Sequence, residues 1–181
     1  MKEITDEQLH VMLLDSSTKE KGFRILMDRY QEKLYWHVRR IILDFDDTDD
    51  VVQNTFIKVF RNIHNFEGKS KLYTWLYRIA TNEAITFKAQ KQKKMADSID
   101  NNPGLSNTLN ADSYFEGDEI QRKLLLAIEE LPEKQRIVFN LRYYDEMPYE
   151  EMSAVLDTSV GALKASYHHA AKKIEAFLKD E

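Results

Sequence analysis

The chain has no cysteine. That excludes disulfides, thiolate metal sites and cysteine nucleophiles, and it suits a reducing cytoplasm. Glycine and proline are scarce, with five and three among 181 residues. Strands joined by tight turns consume more of both, so the shortage favours helices. No apolar run approaches the ~20 residues needed to cross a bilayer. Met1–Leu14 carries Lys2 but no apolar core of signal-peptide length. A soluble, cytoplasmic protein without direct membrane insertion is expected. Signatures of catalysis are missing too: there is no Gly-rich phosphate loop, no His/carboxylate cluster and no nucleophile motif. The pair His168-His169 invites a metal ion. Adjacent helical residues point about 100° apart, however, and no second ligand pair accompanies them. Neither an enzyme nor a metal or other cofactor is expected.

Apolar residues make up 43% of the chain and aromatics 11%, enough for real cores. The length suits one large domain or two small ones. Net charge is −5. By itself this argues against nucleic acid, because DNA affinity comes largely from lysine and arginine meeting phosphates. The distribution carries more information than the sum. Asp44, Asp46, Asp47, Asp49 and Asp50 form one acidic block. Lys69–Lys94 holds seven basic residues against Glu83 alone, and Thr158–Ile174 holds Lys164, Lys172, Lys173, His168 and His169 with no acid. Each basic segment is either a solvated helix face or a nucleic-acid surface.

Asp97–Asp118 contains Asn101-Asn102-Pro103-Gly104 and Ser106-Asn107 but no lysine or arginine. Its residues favour turns over helix interiors, so it reads as a flexible linker. The expected fold is all-α, with two small helical domains, 1–95 and 119–181, on either side of a linker at 96–118. Thr5 with Gln8 resembles a capping box. Phe23, Leu26, Tyr30, Leu34, Val38 and Ile41 then recur at helical spacing. Thr48 is a candidate N-cap, with Asp49 and Asp50 in the first turn. Val52, Phe56, Val59 and Ile63 make the next stripe. A loop at Asn65–Ser70 precedes a further stripe of Leu72, Trp75, Leu76, Ile79 and Phe87. Beyond the linker, Ile120, Leu124, Ala127, Ile128 and Leu131 form a face. Pro132 and Pro148 each suit a first helical position, and Thr158-Ser159 suit the cap of the last helix.

The string PYEEMSAVLDTSVGALKASYHHAAKK, Pro148–Lys173, reads as a short helix, a turn of about four residues and a longer helix. That is a helix-turn-helix, whose second helix enters the major groove. Met152, Val155, Leu156, Val160 and Leu163 are spaced to hold its helices together. Gly161 is small enough for close approach to DNA or to the other helix. Ser159, Lys164, Ser166 and His168 would face outward, able to meet phosphates or base edges. An ordinary helical hairpin shares this pattern.

Asp46–Ala84 is the most distinctive stretch: an acidic helix start, an amphipathic helix with Phe56 and Phe60, a Gly-containing loop and an aromatic-basic helix. Aromatics mixed with cations suit unpaired bases. Trp75 shares the spacing of Leu72 and Ile79 and reads as core, whereas Tyr73 and Tyr77 read as contact residues.

Here the chain resembles the bacterial sigma factors of extracytoplasmic-function (ECF) type, over about Phe23–Lys94 and Glu119–Leu178. DDVVQNTFIKVFRNI is similar to the family's helix that binds the clamp helices of the RNA polymerase β′ subunit. The resemblance implies polymerase-binding roles for Asp49, Asp50, Gln53, Thr55, Phe56 and Lys58. YTWLYRIATNEA is similar to the segment that melts and captures the −10 element, with Trp75, Arg78 and Asn82 at family positions. It implies −10 recognition by Lys69, Ser70, Lys71, Tyr73, Arg78 and Asn82, the loop Asn65–Lys71 holding a flipped base. LPEKQRIVFNLRYYDEMPYEEMSAVLDTSVGALKAS is similar to the region that reads the −35 element. It implies −35 recognition by Ser159, Val160, Gly161, Lys164, Ser166 and His168. The chain departs from the family with Asp157 where a turn glycine is usual, and with Ser166 and His169 where arginine is common. The implied function is a sigma factor that binds core RNA polymerase and promoter DNA, with an anti-sigma factor as a further partner. A stand-alone helix-turn-helix regulator would share the C-terminal domain but would not need Asp46–Ala84. A helical adaptor would explain the acidity but not the two basic segments.

Overall fold

The computed structural model describes residues 4–101 and 119–179. Among these the chain forms eight α-helices and no strand. It divides into two compact units, Met1–Ala84 with Ala154–Leu156, and Ile85–Ser153 with Asp157–Glu181.

In the first unit, α1 (Asp6–Leu14) opens on the expected capping box: Gln8 N donates to Thr5 Oγ1, and Thr5 N donates to Gln8 Oε1. Its Leu9 and Leu13 are buried against α2 (Lys19–Ile42). The two helices approach closely at Gly22, where a Cβ would lie 3.1 Å from Met12 Cβ. Asp6 ties them together, accepting from Arg29 Nη1 at 2.8 Å and from Tyr30 Oη at 2.9 Å. Burial first, and then the Asp6 carboxylate, push the Tyr30 phenol up to about 12. Most of the expected row on α2 is the core row: Leu26, Tyr30, Leu34, Val38 and Ile41 are buried, and Phe23 is half-buried. Each such aliphatic side chain contributes roughly 1.5–3 kcal/mol on burial.

Helix α3 (Phe45–Asn62) starts earlier than its sequence suggests. Asp44, not Thr48, is the N-cap, its side chain accepting from Asp47 N at 2.9 Å. Thr48 is fully buried within the helix. A 3-10 turn, Ile63–Asn65, leads into the loop before α4 (Leu72–Asn101). The inward row of α4 is Leu72, Leu76, Tyr77, Ala80, Thr81 and Ala84. Trp75, Ile79 and Phe87 of the expected stripe are only half-buried. Small and polar residues face inward because Thr81 meets α2 directly: its Oγ1 lies 2.7 Å from His37 Nε2 and donates to Tyr77 O. The helix also runs past residue 96 into the expected linker. The lysines, alanines, glutamines and methionine of 88–96 are good helix formers that carry the helix up to this point, and the first strong breaker beyond it is Pro103. The rest of that linker, 102–118, lies outside the described residues.

The C-terminal helices are α5 (Glu119–Glu129), α6 (Glu133–Tyr143), α7 (Tyr149–Leu156) and α8 (Val160–Lys179). Pro132 and Pro148 occupy the cap positions before α6 and α7, one residue ahead of the first helical position. Ala127, Ile128, Leu131, Phe139, Ala170 and Ile174 share one core, where α8 packs against α5 and α6. Ile120, expected on this face, is 67% exposed.

Candidate nucleic-acid interface

The expected helix-turn-helix is α7 and α8, joined by a turn of three residues, Asp157–Ser159, rather than four. Asp157 ends α7 in the left-handed region, φ 50° and ψ 46°. Ser159 caps α8, accepting from Ala162 N at 3.3 Å. Of the five expected packing residues, Met152, Val155 and Leu163 are buried, and Leu156 and Val160 are half-buried. A Cβ at Gly161 would meet open space, so helix packing does not require glycine there. Leu163, Ala170 and Ile174 turn α8 inward and leave its other side exposed. Ser159, Gly161, Lys164 and His168 lie on that side with His169, Lys172 and Lys173, while Val160 and Ser166 are half-buried. Up to Ile174 this exposed helix side carries cations and no acid; its one acid, Glu175, lies in the last turns and pairs with Lys179.

Two residues join this surface that sequence reasoning did not single out. The Tyr149 ring lies 5.7 Å from Lys164 Nζ and 5.2 Å from the Arg142 guanidinium. Arg142 also donates to Met147 O at 3.2 Å. One aromatic ring thus carries two cations, one of them on the second helix. The only sequence signal was three tyrosines close to Arg142 in LRYYDEMPYE, a stretch that is otherwise acidic.

The second basic surface is the loop before α4 and the exposed side of α4. Gly68 holds φ 71°, a left-handed conformation that suits glycine. Lys69 and Lys71 are exposed and Ser70 half-buried. Lys69 pairs with Glu67, and Lys71 Nζ sits 5.6 Å from the centre of the Tyr73 ring. Arg78 and Asn82 are exposed one turn apart on α4. The aromatic assignment changes here. Tyr77 is only 4% exposed, its ring 4.7 Å from that of His37, so it is a core residue. Tyr73 is half-buried, edge-on to Tyr77 at 6.0 Å. Trp75 is half-buried too, its ring 5.4 Å from that of Phe66.

On α3 the expected residues separate into two sides. Asp49, Asp50, Gln53 and Lys58 are exposed. Thr55 and Phe56 are buried at 0% and 5%, Thr55 donating to Val51 O at 2.8 Å, so they do not belong to the outer face. Helical spacing accounts for this: 55, 56 and 59 turn inward together, leaving 53, 57 and 60 outside. Ile57 and Phe60 are 47% and 36% exposed and put apolar area beside the acids. Lys58 is paired with Glu83 of α4. Among the described residues no group of His, Asp or Glu is placed to hold a metal ion. No described helix is long and apolar enough to cross a membrane.

A short helix, a left-handed turn and a 20-residue helix, with a separate helix that mixes basic and aromatic residues, form an arrangement that fits a protein of the sigma-70 class. Family models agree: residues 26–94 match Sigma-70 region 2, and residues 121–174 match Sigma-70, region 4. The chain is 32% identical over 165 residues to the ECF RNA polymerase sigma-E factors of Escherichia coli K12 and Salmonella typhimurium LT2, covering 86% of each chain. It is 29% identical over 169 residues to the RNA polymerase sigma-H factor of Pseudomonas aeruginosa, covering 88% of each. The fold is similar to that of the sigma factor RpoE from Bartonella quintana, solved with the anti-sigma factor NepR, at TM-score 0.69 and 23% identity. That match covers 89% of this chain and 99% of the other. It is also similar to CnrH, solved with the cytosolic domain of CnrY, at TM-score 0.70 and 22% identity, covering 97% and 99%. The chain belongs to the ECF sigma factors of RNA polymerase and directs promoter-specific transcription.

Proposed function

We propose that the chain divides promoter recognition between its two halves, with residues 1–95 holding polymerase and the −10 element and 119–181 holding the −35 element. The outer face of α3 docks on the β′ clamp helices of core RNA polymerase through Asp49, Asp50, Gln53 and Lys58, with Ile57 and Phe60 as its apolar centre. Thr55 and Phe56 support that face from beneath. Helix α8 enters the −35 major groove with Ser159, Gly161, Lys164 and His168 foremost, and Val160 and Ser166 at its edge. A helix of this kind reads base edges with its first turns while neighbouring cations hold phosphates. Arg142, beside the shared Tyr149 ring, adds such a cation. The loop of Lys69, Ser70 and Lys71, with Tyr73, Arg78 and Asn82, captures a base flipped from the −10 strand. Flipping costs a few kcal/mol, which the pocket and the polymerase must offset together. The chain itself does no covalent chemistry.

The observation that carries this reading is the pair of exposed, acid-poor basic surfaces on separate helices, beside an acidic and apolar face on α3. DNA is drawn to the first two and repelled by the third. We also propose an anti-sigma factor as a partner and the cytoplasm as the site of action. Support for the partner comes from the similar RpoE fold, solved bound to an anti-sigma factor. The test is reconstitution. Purified protein with core polymerase should start transcription at a specific promoter, and the protein alone should bind that DNA weakly. Failure to associate with core polymerase would sink the proposal.

A further inference from the structure

Helix α1 lies outside the residues matched by the region 2 family model, which begins at residue 26. One of its side chains nevertheless reaches the base of the loop before α4. The His10 ring meets Phe66 edge-on, with centroids 4.8 Å apart. Phe66 in turn lies 5.4 Å from the Trp75 ring. Phe66 is only 8% exposed, and its N–H donates to Ile63 O at 3.1 Å. At the other end of the loop Leu72 is buried. Glu67–Lys71, between these anchors, is open to solvent apart from half-buried Ser70. The stack ends on a meaningful face of α4: Trp75, Arg78 and Asn82 follow at spacings of three and four residues and share one side of the helix.

A loop that captures a base must hold its shape before the base arrives. Ordering it afterwards would charge its conformational entropy against capture. Gly68, at positive φ, adds freedom that only an anchor can remove. We infer that α1 positions the base-capturing loop through the His10–Phe66–Trp75 ring stack, making His10 a positioning residue for −10 selectivity. This rests on the −10 reading given above. His10 Nε2 is buried and has no hydrogen-bond partner among the described residues. The imidazole therefore acts as a packing surface, and a phenylalanine at this position should serve as well. Helix α1 is itself held firmly, since Asp6 joins it to Arg29 and Tyr30 of α2.

The test uses holoenzyme made from the full chain and core polymerase. The probe is a fork-junction DNA with a randomised single-stranded −10 region, and the bound fraction is sequenced. The unaltered protein should enrich particular bases. His10→Ala and His10→Leu should each lower that enrichment roughly three- to tenfold, the range of one aromatic contact. His10→Phe should restore it. Selection from a randomised −35 duplex, run in parallel, should be the same for all three variants. Full −10 enrichment by His10→Ala, or His10→Phe behaving like His10→Ala, would overturn the inference. So would parallel loss of −35 selection, because that shows a general folding role. If the unaltered protein enriches no −10 base, the −10 reading itself fails, and the inference with it.

Discussion

Asp157 holds a left-handed backbone conformation, φ 50°, at the end of α7. A residue with a Cβ is disfavoured there, aspartate less than most because its short side chain tolerates the region. Asp157→Gly should therefore stabilise the protein, by up to about 1 kcal/mol. Urea unfolding would show this as a raised midpoint, and a lowered midpoint would contradict it. Tyr30 gives a prediction in pH. Its phenol is pushed up to about 12, burial leading and Asp6 following, so the folded state favours the neutral form. The resulting stability is complete below the unfolded pKa of about 10 and is lost as pH rises from there towards about 12. Thermal unfolding followed across that window should be less pH-dependent in Tyr30→Phe than in the unaltered protein. An equal decline in both would refute this. The start of α3 shows what one residue cannot reveal in sequence. DFDDTDD offers several good caps of similar propensity. Thr48 is buried and its hydroxyl donates to Asp44 O, which places it inside the helix and leaves the cap to Asp44.

At the scale of elements, the proposed division gives α4 and α8 the two DNA-facing surfaces, and their defects should differ in kind. Lys164→Ala should weaken −35 use and reduce the salt dependence of promoter binding by about one phosphate contact. Asn82→Ala should slow promoter opening. A template with a pre-melted −10 region should rescue Asn82→Ala and leave Lys164→Ala impaired. Identical behaviour on that template would count against the division of labour. Both helices were legible as helices from their apolar spacing. Their rotation was less so. On α8, Leu163 faces inward as its spacing predicts, because the hydrophobic row there is continuous. On α4 the inward row runs through Tyr77, Ala80, Thr81 and Ala84. Large apolar residues mark a core face only when the partner helix stands far enough away to need them. Where Thr81 meets His37 at 2.7 Å, small and polar residues win the inside and Trp75 is left at the margin.

For the whole molecule, a net charge of −5 has to coexist with DNA recognition. Under the proposed function, the acids near the start of α3 lie on the face that docks on polymerase, and they would also discourage binding to DNA without it. Replacing Asp49 and Asp50 together by asparagine should move two affinities in opposite directions. Non-specific DNA binding by the protein alone should strengthen, and core polymerase binding should weaken. Fluorescence anisotropy and competition for core would measure the pair, and a shift of both in the same direction would refute the electrostatic account. Sequence alone determined that the chain is helical, that it carries a C-terminal helix-turn-helix, and that an acidic block precedes two basic segments. These are local properties, set by spacing, capping and charge along a few turns. Tertiary structure decided which side chains face out. It buried Thr55, Phe56 and Tyr77, brought Arg142 and Lys164 to one tyrosine ring, and set His10 of α1 against Phe66 beneath the loop. Such choices depend on what packs against a helix from elsewhere in the chain, and no local pattern encodes the distance to a partner.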